Sequence, residues 1–107
     1  MFKFVTIYRQ VDDADALEHF FSHTHLPLAE QLPGLRRTEL SRIHGKPGGG
    51  ESRFHLMYEL YFDSRQDYLA ALKSEPGHQL MLALKPWGDA RIITWYYADS
   101  FAEDVAE

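Results

Sequence analysis

Cysteine is missing from this chain. Its absence removes disulfides, thiolate nucleophiles and cysteine-ligated zinc or iron–sulfur centres, and it fits a reducing cytoplasm. Positive charge is scarce: 11 Lys and Arg face 16 Asp and Glu, for a formal charge of −5. Binding to nucleic acid calls for clustered cations, and the nearest approach is the pair Arg36 and Arg37. Long apolar runs are also lacking. The opening MFKFVTIYRQ is interrupted by Lys3 and Arg9 and is too short for a secretory segment or a membrane span. Neither nucleic acid nor membrane is expected as a partner. No dinucleotide fingerprint occurs, so no nicotinamide or flavin is expected as a cofactor.

What is present fits one α+β domain over residues 1–107, with 45% hydrophobic and 25% charged residues. Residues 2–10 read as a strand. Asp12 then caps a helix whose stripe is Ala14, Leu17, Phe20 and Phe21, with Asp15 in a capping-box-like place. Pro33-Gly34 stops that helix, and LRRTELSRIH reads as the second strand. GKPGGG, residues 45–50, is followed by the strand SRFHLMYELYF rather than by a helix, so it is a hairpin and not a phosphate-binding loop. Ser64 with Asp67 opens another helix, with a stripe of Tyr68, Leu69 and Leu72. Pro76 starts a short helical piece carrying Leu80, Met81 and Leu84, and Pro86 closes it. RIITWYYAD is the fourth strand, and the acidic end from about residue 100 to 107 is expected to fray. The order is βαββαβ, a ferredoxin-like four-stranded antiparallel sheet with its helices on one face.

Two helices cover only one side of such a sheet. Val5, Ile7, Leu56, Tyr58, Leu60 and Ile92 are assigned beneath the helices, and Phe4, Tyr8, Met57, Tyr61, Trp95 and Tyr97 to the other face. Arg37, Glu39, His55 and Glu59 are expected to share that second face. An uncovered patch of this kind measures several hundred square ångströms, more than soluble monomers usually expose. A homodimer with face-to-face sheets is expected, and the second set of six is its predicted interface.

The stretch HTHLPLAEQLPG puts a proline inside a helical pattern. Pro27 has no N–H for the carbonyl of His23, so the helix should kink near Thr24. If the helical phase survives, His25 projects inward with Phe21 and Leu28, while His19 and His23 share the solvated side. The His19–His23 pair has metal-ligand spacing but no third ligand, and no metal is expected there. His25 has two readings: it locks the kink by bonding a freed carbonyl, or it is a titratable group lining a cavity. His78 is either an ordinary surface residue or a second histidine meeting His25 across that cavity. Tyr58, Tyr96 and Trp87, with Leu56 and Ile7, are the predicted walls of a pocket for a small hydrophobic or aromatic oxygenated compound.

YRQVDDADALEHFFSHTHLPLAEQLPGLRRTELSR, then GKPGGG, then FHLMYELYFDS resemble the EthD family, named for ethyl tert-butyl ether degradation. The resemblance runs from about residue 2 to 99 and implies a dimeric α/β barrel. The family label implies an oxidoreductase of xenobiotic degradation in the cytoplasm. Broader barrel relatives imply cofactor-free cyclase, dehydratase, isomerase or monooxygenase chemistry. By motif, the resemblance implies His25 of THLPL as the catalytic residue and His78 as a second candidate. Three functions follow as alternatives. One is a cofactor-independent enzyme using His25 as general acid/base, another a non-catalytic binding or auxiliary protein supporting an oxygenase, and the third a heme-dependent activity.

Overall fold

The computed structural model describes residues 1–106. The first strand, β1 (Phe2–Arg9), leads into a helical stretch in three parts. These are α1 (Ala14–Phe20), a π-helical turn (Phe21–His25) and α2 (Leu26–Glu30). The hairpin β2 (Arg37–Arg42) and β3 (Phe54–Phe62) follows, then α3 (Arg65–Leu72), α4 (Glu75–Asp89) and β4 (Ile93–Asp99). The sheet is antiparallel in the order β2-β3-β1-β4, the ferredoxin-like arrangement expected from the sequence. Residues 100–106 have no regular structure, and Glu107 lies outside the described residues.

Local chemistry places the boundaries. The Asp13 carboxylate, not that of Asp12, accepts the Ala16 N–H at 3.0 Å and caps α1. Ser64 Oγ accepts from the Asp67 N–H at 3.1 Å, as its position before α3 predicts. In α3 the buried residues are Tyr68 and Ala71, whereas Leu69 is exposed. Ser74 Oγ accepts from Gly77 N–H and donates to the Ala71 carbonyl, tying α4 to the end of α3. A Cβ at Gly77 would come within 2.2 Å of the Ala71 carbonyl oxygen, so the two helices meet this closely only because residue 77 is glycine.

Pro86 does not close α4. The helix runs on to Asp89 with the proline inside it. The ring deprives only one carbonyl of its helical donor, and the helix keeps Leu80 and Leu84 buried on the side facing the sheet.

The assignment of faces needs a larger correction. Antiparallel register pairs Phe2 with Phe62, Phe4 with Leu60, Thr6 with Tyr58 and Tyr8 with Leu56. On the other side it pairs Phe4 with Tyr97, Thr6 with Trp95 and Tyr8 with Ile93. Paired residues share a face, and this face lies under the helices. Phe4 stacks on Tyr68 of α3 at 5.0 Å, and the Trp95 indole presses against Gly88 of α4. Phe4, Tyr8, Trp95 and Tyr97 therefore belong to the helix-covered face rather than to the open one. Val5 and Ile7 lie on the open face with Lys3, Met57, Glu59, Tyr61 and Tyr96. Leu56, Tyr58 and Leu60 are beneath the helices as expected, and all three are buried. Ile92 precedes β4, and its neighbour Ile93 takes the core position.

Candidate functional site

Pro27 shapes the segment that carries the candidate histidine. Instead of a simple bend near Thr24, the chain widens into one π-helical turn, in which the Leu26 N–H donates to the Phe21 carbonyl five residues back. Such single turns are often found at functional sites. The widened turn keeps Phe21 and His25 on the inner side, where both are buried. His19 and His23 remain outside, their rings stacked at 4.1 Å.

His25 has 0% of its surface exposed. Its Nδ1 and the Tyr8 hydroxyl share a hydrogen bond of 2.5 Å, so Tyr8 of β1, not a carbonyl freed by Pro27, holds the ring. Phe21 lies edge-on at 5.3 Å and Tyr58 edge-on at 5.2 Å. Nε2 has no protein partner among the described residues. Burial disfavours the imidazolium and pushes the His25 pKa down to about 3. Burial likewise raises the Tyr8 phenol, so both members of the pair are neutral over the ordinary pH range.

Tyr58 forms a second wall of this enclosure. Burial, opposed by the nearby Thr38 side chain, pushes its phenol up to about 12. The Tyr58 hydroxyl has no hydrogen-bond partner among the described residues. Trp87 of α4 stacks on Phe20 at 4.6 Å and meets the edge of Tyr8 at 6.0 Å. The structure therefore brings His25, Tyr58, Leu56 and Trp87 to one side of the sheet with Tyr8.

The other predicted residues are elsewhere. Tyr96 and Ile7 are on the open face. His78 is exposed on α4, beside a depression of about 510 Å³ that it shares with Met81, Leu82, Lys85 and Trp95. It does not meet His25. A second depression, of about 210 Å³, lies beside the first between α3, α4 and β4. His25 lines none of the four main depressions, so the expected cavity at this ring is a packed enclosure. A heme would have to displace packed side chains to reach the fully buried ring.

Sequence reasoning missed Tyr8 as the partner of His25 because it placed Tyr8 on the opposite face. Charge was the available signal. Alternate positions in β1 read Lys3, Val5, Ile7 and Arg9 against Phe2, Phe4, Thr6 and Tyr8, and only the second set is free of charge. His55 was likewise expected on the open face with Glu59. Its Nε2 lies 3.7 Å from the Glu18 carboxylate of α1, which Arg42 also binds at 2.8 Å. Chiefly through Arg42, the Glu18 carboxyl is held below its ordinary range.

A protein-family model, the EthD domain, matches residues 10–83. The chain is 30% identical to an ethyl tert-butyl ether degradation (EthD) family protein of Bacillus halodurans, whose crystal structure superposes with a TM-score of 0.87 over 94% of this chain and 99% of that one. It is 27% identical over 77 residues to an uncharacterised 11.0 kDa protein of a thcB–thcC intergenic region in Rhodococcus erythropolis, covering 72% of this chain and 74% of that protein. At the level of fold alone, it resembles SnoaB, a cofactor-independent oxygenase of Streptomyces nogalater. There the TM-score is 0.61 at 17% identity, over 99% of this chain and 97% of that one.

Proposed function

Starting from the fact that this chain belongs to the EthD family, we propose that it is a small cofactor-independent catabolic enzyme. It acts on a hydrophobic or aromatic oxygenated compound through His25. The observation that carries this reading is a fully buried imidazole in the π-helical turn, with Tyr8 on Nδ1 and no partner on Nε2 among the described residues. Buried polar atoms are nearly always satisfied, and the exceptions concentrate where chemistry needs them. The name of SnoaB as a cofactor-independent oxygenase supports chemistry without a bound cofactor on this fold.

The working form is a homodimer in the cytoplasm. On the open face Ile7 and Met57 are half-buried and Tyr96 is exposed, while Val5 and Tyr61 are buried within the single chain, and a second sheet is the simplest cover for the apolar surface that remains. Lys3 donates to the Glu59 carboxylate at 2.6 Å and Tyr61 donates to it at 3.1 Å, so these two charges already have partners within the chain.

The test is product analysis with a panel of small phenols, lactones, ketones and ethers, using wild-type protein and His25→Ala. Turnover by the wild type that is lost in a folded His25→Ala variant supports the proposal. Equal turnover in both would sink it. A second reading, a non-catalytic protein that binds a hydrophobic metabolite, draws support from the position of the depressions beside α4 and β4, away from His25. For that reading, compounds raise the melting temperature by mass action while product analysis finds no conversion.

A further inference from the structure

The geometry points to His25 as a fixed hydrogen-bond donor through Nε2–H, an electrophile for the carbonyl oxygen of a small hydrophobic ketone, enone or lactone. This rests on the proposal that His25 is the reacting centre, and it changes what that centre does. The two tautomers differ in how many buried groups they leave unpaired. With the imidazole proton on Nε2, the Tyr8 hydroxyl donates to Nδ1, and the only unpaired group of the couple is Nε2–H. With the proton on Nδ1, the ring donates to the Tyr8 oxygen. The phenolic hydrogen and the Nε2 lone pair are then both left unpaired, since Tyr8 has no second partner. One fewer buried orphan favours the Nε2–H tautomer by roughly tenfold or more.

The rings facing His25 from each packed element are Tyr8 of β1, Phe21 of the π-helical turn and Tyr58 of β3, and none brings a charge or an acceptor to Nε2. The tautomer is therefore set by Tyr8 alone. Burial of His25 and of Tyr8 keeps both neutral, in agreement with this placement.

A neutral imidazole with its hydrogen on Nε2 cannot accept a proton at that atom. Releasing that hydrogen would leave an imidazolate or, with transfer from Tyr8 to Nδ1, a buried tyrosinate. What the couple does well is donate a hydrogen bond in a dry enclosure, where a dipole aimed at developing negative charge acts strongly. Neutral imidazoles serve as electrophiles toward carbonyls in other enzymes on this principle. Because the ring is fully buried, a ligand carbonyl reaches Nε2 only when neighbouring side chains move aside, a gating step of the kind that sets many turnover rates.

Nitrogen NMR of ¹⁵N-histidine-labelled protein tests the tautomer, with the His25 signals identified by their loss in His25→Gln. The expected result is a pyrrole-type Nε2 and a pyridine-type Nδ1, unchanged between pH 5 and pH 8. In Tyr8→Phe the two signals should move toward each other as the tautomers mix. A protonated Nδ1, or titration near the ordinary histidine range, overturns the donor role and leaves His25 open as an acid/base group. Carbonyl-labelled acetophenone is the ligand probe. Its ¹³C resonance should move downfield on binding, with affinity about tenfold weaker in His25→Leu. An Nε2–H tautomer together with an acetophenone carbonyl that does not bind, or binds equally to His25→Leu, overturns both the donor role and the placement of chemistry at His25.

Discussion

The two faces of the sheet are built from similar apolar residues and do different work. The helix-covered face holds Phe2, Phe4, Thr6 and Tyr8 against Leu56, Tyr58, Leu60 and Phe62, with no charged residue among them. The open face holds Val5, Ile7, Met57 and Tyr61 but also Lys3 and Glu59, paired at 2.6 Å. Glu59 is itself buried, and the Lys3 ammonium and the Tyr61 hydroxyl replace the water it loses, partners that the uncharged set under the helices does not offer. In β1 and β3 the charged positions thus choose which alternate set goes inward. The covered face can then enclose a neutral imidazole, and the open face supplies the apolar surface that a second copy can use.

The largest effect that tests this contrast is expected on the covered face. Phe21→Ala removes a ring packed against Tyr8, His25 and Tyr58 and should cost about 3–5 kcal/mol, read by denaturant unfolding. A loss below about 1 kcal/mol would mean that the enclosure is not packed as described.

Next comes acid. The folded pKa of His25 lies at about 3, below the value near 6.5 in the unfolded chain, so the unfolded state takes up the proton first. The stabilisation from keeping this ring neutral is complete above pH 6.5 and fades as the pH falls toward 3. By pH 5 the wild type should have lost about 2 kcal/mol relative to His25→Gln. Parallel stability curves for the two proteins between pH 7 and pH 5 would contradict the buried neutral ring.

Tyr8→Phe leaves Nδ1 of His25 without its partner and should cost about 1–2 kcal/mol while the chain still folds. The smallest effect on the fold of a single chain belongs to the open face. Met57→Lys should change the circular dichroism spectrum little, yet halve the mass seen by light scattering as the dimer separates. A wild type that is already monomeric at micromolar concentration would remove the dimer from this picture.

Much of the architecture was legible. The cap Ser64 before α3, Pro76 at the start of α4, the glycine-rich loop and the β-branched strands led to the βαββαβ order, and helical phase led to the inward direction of His25. Boundaries slipped where two residues compete for one task, as Asp12 and Asp13 do at the start of α1. Pro86 misled because a proline costs a helix one donor, and α4 holds enough buried surface to continue past it. Of the candidate site, His25, Tyr58, Leu56 and Trp87 are gathered as expected, whereas Tyr96, Ile7 and His78 are not.

The sequence by itself determined the class of fold, because local propensity, capping and turn chemistry act within a few residues and are written in the order of the chain. The tertiary structure alone decided that Tyr8 meets His25 and that Tyr96 does not. A period of two carries no phase, and Lys3 and Arg9 mark which set of β1 faces outward without saying what the inward set meets. That was fixed when antiparallel pairing set Tyr8 opposite Leu56 and the helices packed over the uncharged side.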